Sequence, residues 1–429
     1  MRLWSACYRL KEVVYVYNLG LKVDSVFSAD ARLPSRARVG ISSATIGKSS
    51  RPAKLVAPPP LSAQLKSYVS STSDPFREGN VYRPDPIPVS HSVTAINRGN
   101  DWNASARALV NGEQLLVTDL YSTGLNTLAA LRRLLEGRRP GDRDFSRERE
   151  FRSEFQRASQ NLLATVASHR LSLEKAPEIG WFSELYSDTP DFLLPFPQVQ
   201  GLNSSWQWFV KGIEIPVLDR RLFPYYGTYF PTRFEHLELF DAWLQDYEGP
   251  RQLACDVGTG CGVLALQLAQ AKFARVLATD SNPNAVESVQ REIARQPASC
   301  PVEVQEADLF GAECEPLELI VFNPPWIRGA AHSPIDQAIY YDDTLFERFF
   351  DMARQRIAAE GRLVLLFSNL QQTADTSAPH PIQQELEGGG HFALVDCKRR
   401  QAKSASAKTK RRKRDPANEF VELWELAAR

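Results

Sequence analysis

The sequence predicts a doubly wound, Rossmann-like α/β domain over residues 226–429, and three observations predict it. Short apolar runs alternate with helical spacings from residue 234 onward. The first run ends in a glycine-rich turn, Asp256-Val257-Gly258-Thr259-Gly260-Cys261-Gly262. Acidic residues close the next two runs, at Asp280 and Asp308. Alternating strands and helices specify a mostly parallel sheet covered on both faces, and strands buried on both faces read as near-continuous apolar runs.

Taken in order, 234–247 reads as a helix, 252–257 as a strand and 261–272 as a helix; 275–279, 284–296 and 302–307 follow as strand, helix and strand. A fourth strand at 318–322 precedes a helix at 344–359, a strand at 362–368 and a helix at 381–388. The runs at 392–397 and 419–426 have no helix between them, so the seven-stranded sheet ends in an antiparallel hairpin, with 398–414 as its loop.

Upstream the pattern is different. Residues 101–225 read as a mostly helical accessory domain: Leu125, Leu128, Leu131, Leu134 and Leu135 keep helical spacing until Gly137 and Pro140 stop it. Ser146 to His169 reads as one long helix, acidic early, with Phe151, Phe155, Leu162, Leu163 and Val166 on one side. Residues 75–100, with four prolines, read as loop. Residues 1–70 carry eleven Lys and Arg against three acids and are rich in Ser, Ala and Pro. That composition suits a disordered tail, an over-extended start or an organelle transit peptide. The compartment is therefore read as cytoplasmic, with mitochondrion or plastid as the alternative, and 1–100 as tail and linker.

Bulk properties exclude several classes. The net charge is zero, so no global field steers the chain to nucleic acid or membrane. No run of about 18 apolar residues is present, which argues against a membrane span. The six cysteines form no C-x-x-C pair and the histidines do not cluster near them, so no metal site is expected.

The chemistry lies in the 226–429 domain. Gly258, Gly260 and Gly262 permit a tight turn and close backbone approach to a ligand, with Thr259 in the same loop. An acid-led loop places negative charge where a pyrophosphate would sit, which favours S-adenosylmethionine over a dinucleotide. Asp256, at the strand end, can accept a hydrogen bond through water or backbone, or bind the cationic methionine amino group. Asp280, 24 residues on and followed by Ser281, can hold ribose hydroxyls, and Asp308, followed by Leu309, the adenine amine.

About 65 residues after the glycine loop comes Asn323-Pro324-Pro325-Trp326. A planar amide or amine is a poor nucleophile because its lone pair is delocalised. The Asn323 side-chain oxygen and the Pro324 carbonyl can each accept an N–H bond, leaving the lone pair aimed at a methyl carbon. Proline fixes φ and so the carbonyl direction, and Trp326 offers a face for stacking. Rate then comes mainly from orientation.

These residues, with the segment Gly227-Thr-Tyr-Phe-Pro-Thr-Arg-Phe-Glu-His and with Asp280-Ser-Asn-Pro-Asn-Ala, resemble the class I S-adenosylmethionine-dependent methyltransferases of the methyltransferase small domain group. That group includes RNA guanine N-methyltransferases and stands close to release-factor glutamine methyltransferases. The resemblance covers about 200 of the 429 residues. It implies that the segment before the first helix, with Thr232, Arg233 and Glu235, covers the methionine end of the cofactor. Residues 327–343, with Arg328, Tyr340 and Tyr341, follow the motif at a length typical of lids.

Residues Lys398 to Arg414 hold ten Lys and Arg and no acid. Such a segment can neutralise phosphates, but without aromatic residues it grips backbone and does not read bases; a targeting role or a solvated insertion has the same composition. The acceptor is read as an exocyclic amine of a nucleobase in RNA, with a protein glutamine amide or a small-molecule amine as alternatives.

Overall fold

The computed structural model describes residues 81–89, 93–138, 145–312, 315–331, 334–374, 378–402 and 419–429. The tail and targeting readings of the N-terminal 80 residues fall outside these, as does most of the basic segment, 403–418.

Seven strands form the main sheet: β1 Leu253–Val257, β2 Arg275–Asp280, β3 Val302–Glu306, β4 Leu317–Phe322, β5 Ile357–Ser368, β6 Phe392–Gln401 and β7 Phe420–Ala428. Their order is β3-β2-β1-β4-β5-β7-β6. All pairs are parallel up to β5; β7 runs antiparallel to both β5 and β6. Helices α1 Glu235–Asp246, α2 Val263–Gln270, α3 Pro283–Arg295, α4 Leu345–Arg356 and α5 Pro381–Glu387 cover it.

Strand alternation divides the core. Ala254, Val276, Leu319, Val321 and Leu366 pack with Phe240, Trp243 and Leu264 of α1 and α2. Cys255, Val257, Ile320 and Leu365 point the other way, against Phe349, Phe350 and Ile382 of α4 and α5. Each fully buried Leu, Val, Ile or Phe contributes roughly 1.5–3 kcal/mol relative to exposure, so the central strands are the best-determined part of the sheet. β5 begins earlier than the sequence predicts, because the β4–β5 register shifts between Leu317 and Leu319. The expected loop at 398–414 also shortens: residues up to Gln401 extend β6.

Residues 94–222 carry a second sheet that the sequence did not reveal. Thr94–Ile96, Leu115–Val117 and Leu162–Ala167 pair in parallel, and Arg170–Leu171 and Phe192–Pro195 run antiparallel to Leu162–Ala167. Helices Trp102–Val110, Tyr121–Gly137, Phe145–Ser159 and Phe196–Lys211 still supply more residues than these strands. Two expectations are corrected here. The long helix stops at Ser159: the Asn161 side chain donates to the Leu109 carbonyl, and Leu162, Leu163 and Val166 enter the sheet. Ser168 and His169, at φ 49 and 58, then turn the chain back. The loop expected over 75–100 already contains Thr94–Ile96, and Ile87 bridges Leu193. No helix among the described residues is long and apolar enough to cross a membrane.

Candidate active site

A cavity of about 700 Å³ opens at the carboxyl ends of β1 to β4, within the range that encloses a small ligand or cofactor. The strand order reverses between β1 and β4, and a crevice at such a switch point is where open α/β sheets bind ligands.

The glycine loop forms its floor. Gly258, Gly260 and Gly262 have φ of +64, +54 and +84, the left-handed region that glycine tolerates. A Cβ on Gly260 would lie 3.2 Å from the Tyr229 carbonyl oxygen, and one on Gly262 3.0 Å from Val289. Gly258, Thr259 and Gly260 line the cavity; Gly262 packs beneath it.

Asp256 is not on the cavity wall, so of its two expected roles the structure has the hydrogen bond from backbone and not the contact with a ligand amine. Fully buried, its Oδ2 accepts from Thr259 Oγ1 at 2.6 Å and from the Ala265 amide at 2.9 Å. The carboxylate thus ties the end of β1 to the first turn of α2. Its Oδ1 has no partner, and burial pushes the carboxyl up to about 7.

Asp280 and Ser281 are on the wall. Asp280 accepts from the Gly260 amide through Oδ2 and from the Asn282 amide through Oδ1, each at 2.9 Å. Burial raises its pKa, against those two hydrogen bonds. Asp308 and Leu309 line the same end; Asp308 is paired with Arg348 of α4 at 2.7 Å, a wall residue the sequence reading did not single out.

Asn323 and Pro325 line the other side. Pro324 is buried and Trp326 half-buried, and neither is on the wall, so the carbonyl and the stacking face expected of them are not presented there. Trp326 braces instead: its Nε1 donates to Asn323 Oδ1 at 3.1 Å and to the Leu366 carbonyl at 3.2 Å.

The flanking segments divide. Arg233 pairs with Glu419 at 3.2 Å and with Glu235 at 3.7 Å, and neither Arg233 nor Glu235 lines the cavity. Arg328 is exposed and paired with Asp343, away from the wall. Tyr340 and Tyr341 do line it, in a two-residue strand parallel to Ile327–Arg328. The pre-helix segment contributes Tyr229 and Pro231, and the first turn of α1 contributes His236. The segment is held by Asn282, which donates to the Gly227 carbonyl at 2.9 Å, and by Asn284, which donates to Tyr226 at 2.7 Å and to Tyr82 at 2.8 Å. Sequence reasoning reached His236 only as the end of a motif; a histidine in the first turn of the helix that opens the domain was the available signal.

The wall is therefore acidic at the β2–β3 end, through Asp280 and Asp308. At the end of β4 it is neutral, with the Asn323 amide. Such a wall suits an elongated ligand that places hydroxyls and an amine at the first end and its reacting part at the second.

The methyltransferase small domain model matches residues 243–387. Over 141 residues the chain is 33% identical to a tRNA1(Val) (adenine(37)-N6)-methyltransferase of Porphyromonas gingivalis, covering 30% of this chain and 55% of that protein. It is 38% identical over 202 residues to a release factor glutamine methyltransferase of Deinococcus radiodurans, covering 46% and 69%. It is 37% identical over 97 residues to a ribosomal protein L11 methyltransferase of Exiguobacterium sibiricum, covering 23% and 29%. The chain spans about half the length of the tRNA methyltransferase it matches.

Proposed function

From a chain that belongs to the methyltransferase small domain family, we propose an enzyme that transfers a methyl group from S-adenosylmethionine to a planar nitrogen, the exocyclic amine of a nucleobase in RNA. The observation that carries this is Asn323: it lines the cavity at the end of β4, across the strand-order reversal from the glycine loop.

The residues fit the cofactor. The glycines leave a cradle that a Cβ would fill, and Asp280 keeps lone pairs for ribose hydroxyls after holding the Gly260 and Asn282 amides. Asp308, beside Arg348, is at the far end for an adenine amine. When bound, S-adenosylmethionine supplies an electrophilic methyl on a sulfonium, so no strong base is needed. Asn323 Oδ1 takes one N–H of the acceptor on the lone pair that Trp326 leaves open. Holding that N–H turns the nitrogen lone pair toward the seam. Tyr340 and Tyr341 border the same space and exclude water from it.

RNA is favoured over protein by charge and position. The hairpin stem ends at Gln401 and Phe420, beside the carboxyl end of β5, and the Ala402 amide donates to the Glu419 carbonyl at 2.8 Å. Ala402 and Glu419, the described residues that flank the basic segment in the sequence, are therefore on the edge of the sheet that bears the cavity. The second reading, a protein glutamine amide, is supported by the match to 69% of the glutamine methyltransferase.

Tritium transfer from labelled S-adenosylmethionine into total RNA and total protein tests both. Label in RNA is expected, lost in Asn323→Ala while S-adenosylhomocysteine still binds. Label in protein alone transfers the assignment to the second reading, and label in neither fraction removes both.

A further inference from the structure

Tyr82 is held by its backbone and exposed by its ring. The Asn284 side chain, fully buried in the first turn of α3, accepts from the Tyr82 amide at 2.6 Å and donates to the Tyr82 carbonyl at 2.8 Å. The next residue, Arg83, pairs with Asp188 at 2.9 Å and lies over the Tyr186 ring, 4.9 Å from its centroid. These anchors fix the chain at residues 82 and 83, yet Tyr82 keeps 41% of its surface exposed and Val81 36%. A lone exposed aromatic is ordinary on a protein surface. One whose amide and carbonyl are both bound by a buried side chain presents its ring in a fixed place.

That place is the rim of the cavity. Tyr82 is not itself on the wall. A Cβ on Gly227 would lie 3.8 Å from its Cδ1, and the Gly227 carbonyl accepts from Asn282, a wall residue. The short helix Pro334–Gln337 brings Gln337 to the same wall, and its Asp336 acts on the Tyr82 hydroxyl. Burial, then Asp85, then Asp336 raise the pKa of that group, so the ring is a neutral phenol in acidic surroundings.

An RNA substrate needs a face of this kind. Trp326 is off the wall, and the segment Lys398 to Arg414 has cations for phosphates but no aromatic residue for bases. Asp85 and Asp336 disfavour a phosphate beside Tyr82 and can accept from the amino edge of a base. We propose that Tyr82 is a stacking platform for a nucleobase that neighbours the methylated one, holding it at the rim while the acceptor base enters the cavity. The inference rests on the RNA methyltransferase reading and adds to it a contact outside the family match, which begins at residue 243.

Fluorescence anisotropy of the full chain on an unmodified tRNA, at several salt concentrations, tests it. Tyr82→Ala is expected to weaken binding about 5- to 100-fold, the range for one stacked base, and by the same factor at every salt concentration, because no phosphate contact is lost. Tyr82→Phe is expected within about twofold of wild type. Tyr82→Leu, apolar but without a π face, is expected to bind as weakly as Tyr82→Ala. The Asn284 clamp holds main-chain atoms, so all three variants keep it, and S-adenosylhomocysteine affinity should stay within about twofold. Tyr82→Leu binding as well as Tyr82→Phe, or an equal loss of S-adenosylhomocysteine, overturns the proposal, as does a Tyr82→Ala chain that loses label transfer into protein instead of RNA. A wild-type chain that transfers no label to RNA overturns the reading beneath it; one that does, with Tyr82→Ala bound as tightly, overturns the role of Tyr82 alone.

Discussion

The indole nitrogen of Trp326 lies 3.1 Å from the side-chain oxygen of Asn323. Because an indole nitrogen only donates, the atom facing it is the amide oxygen, and the rotamer of Asn323 is set by its neighbour three residues on. The same donor reaches the Leu366 carbonyl of β5, so the amide is referenced to the sheet. Trp326→Phe keeps an aromatic ring against His236 and removes the donor. A loss of about 10- to 100-fold in kcat is expected, on the scale of a misplaced reacting group, with S-adenosylhomocysteine affinity within about twofold of wild type. A KM effect without a kcat effect would assign Trp326 to substrate binding instead.

Asp256 gives a pH signature in stability. Its carboxyl is pushed up to about 7 from an ordinary 3.8, burial being the main cause. Between those values the folded chain binds a proton that the unfolded chain releases, so this group lowers stability as pH rises through the window. Asp256→Asn removes the titration and keeps one acceptor for Thr259 and Ala265. Each tenfold difference in proton affinity between the folded and unfolded chains is worth ~1.4 kcal/mol. The melting-temperature advantage of wild type over the variant is therefore expected to shrink by about 2 °C or more from pH 5 to pH 8. A pH-independent difference would mean that the carboxylate is ionised throughout.

His236 has the opposite sign. Its folded pKa is depressed, so the folded state binds fewer protons than the unfolded state between about 4 and 6.5. Its contribution is present above 6.5 and lost as pH falls through that window. Urea midpoints should therefore drop more steeply between pH 6.5 and 4.5 in wild type than in His236→Gln. Parallel acid limbs would place a charged imidazole in the fold.

The limits of the sequence are local in origin. The apolar runs of β1, β2 and β4 identify buried parallel strands because no other element of that length hides both faces. Leu162, Leu163 and Val166 fit one face of a helix as well as a strand, and only the neighbours Leu115–Val117 and Phe192–Pro195 decide between them. Asp280 and Asn323 were legible because residue type and strand-end position coincide. For Asp256 the sequence left two roles open, and only the positions of Thr259 and Ala265 decide for the inward hydrogen bonds. Arg348 reaches the cavity from α4, far along the chain from the glycine loop, and no spacing rule links the two.

Gly260 tests the floor of the cavity. Its φ of +54 and the 3.2 Å approach of a Cβ to the Tyr229 carbonyl oxygen leave no unstrained place for a side chain. Gly260→Ala is expected to cost about 1–2 kcal/mol from the left-handed backbone alone and to weaken S-adenosylhomocysteine at least tenfold, because the Gly260 amide positions Asp280. Gly137→Ala, at a helix end where a Cβ meets nothing within 4 Å, is the matched control and should leave both measurements unchanged. Equal effects at the two sites would remove the special role of the loop.

The ten cations of Lys398 to Arg414 are not equivalent. Lys398, Arg399 and Arg400 lie in β6 and pair with Asp246, Glu422 and Glu238, at 3.5, 3.0 and 2.7 Å. Glu422 is 2% exposed, so removing Arg399 takes a counter-charge from a buried carboxylate that also accepts from His380 and Trp424. Substituting these three by Gln should lower the melting temperature with little change in the salt dependence of RNA binding. Lys410 to Arg414 stand beyond the hairpin stem in the sequence, and each phosphate contact they make adds roughly 0.9 to the slope of log affinity against log salt. Changing those five to Gln is expected to flatten the slope by as much as about 4 at unchanged melting temperature, measured by fluorescence anisotropy on an unmodified tRNA. A slope that stays the same would dissociate the basic segment from the substrate and leave the cavity alone to select it.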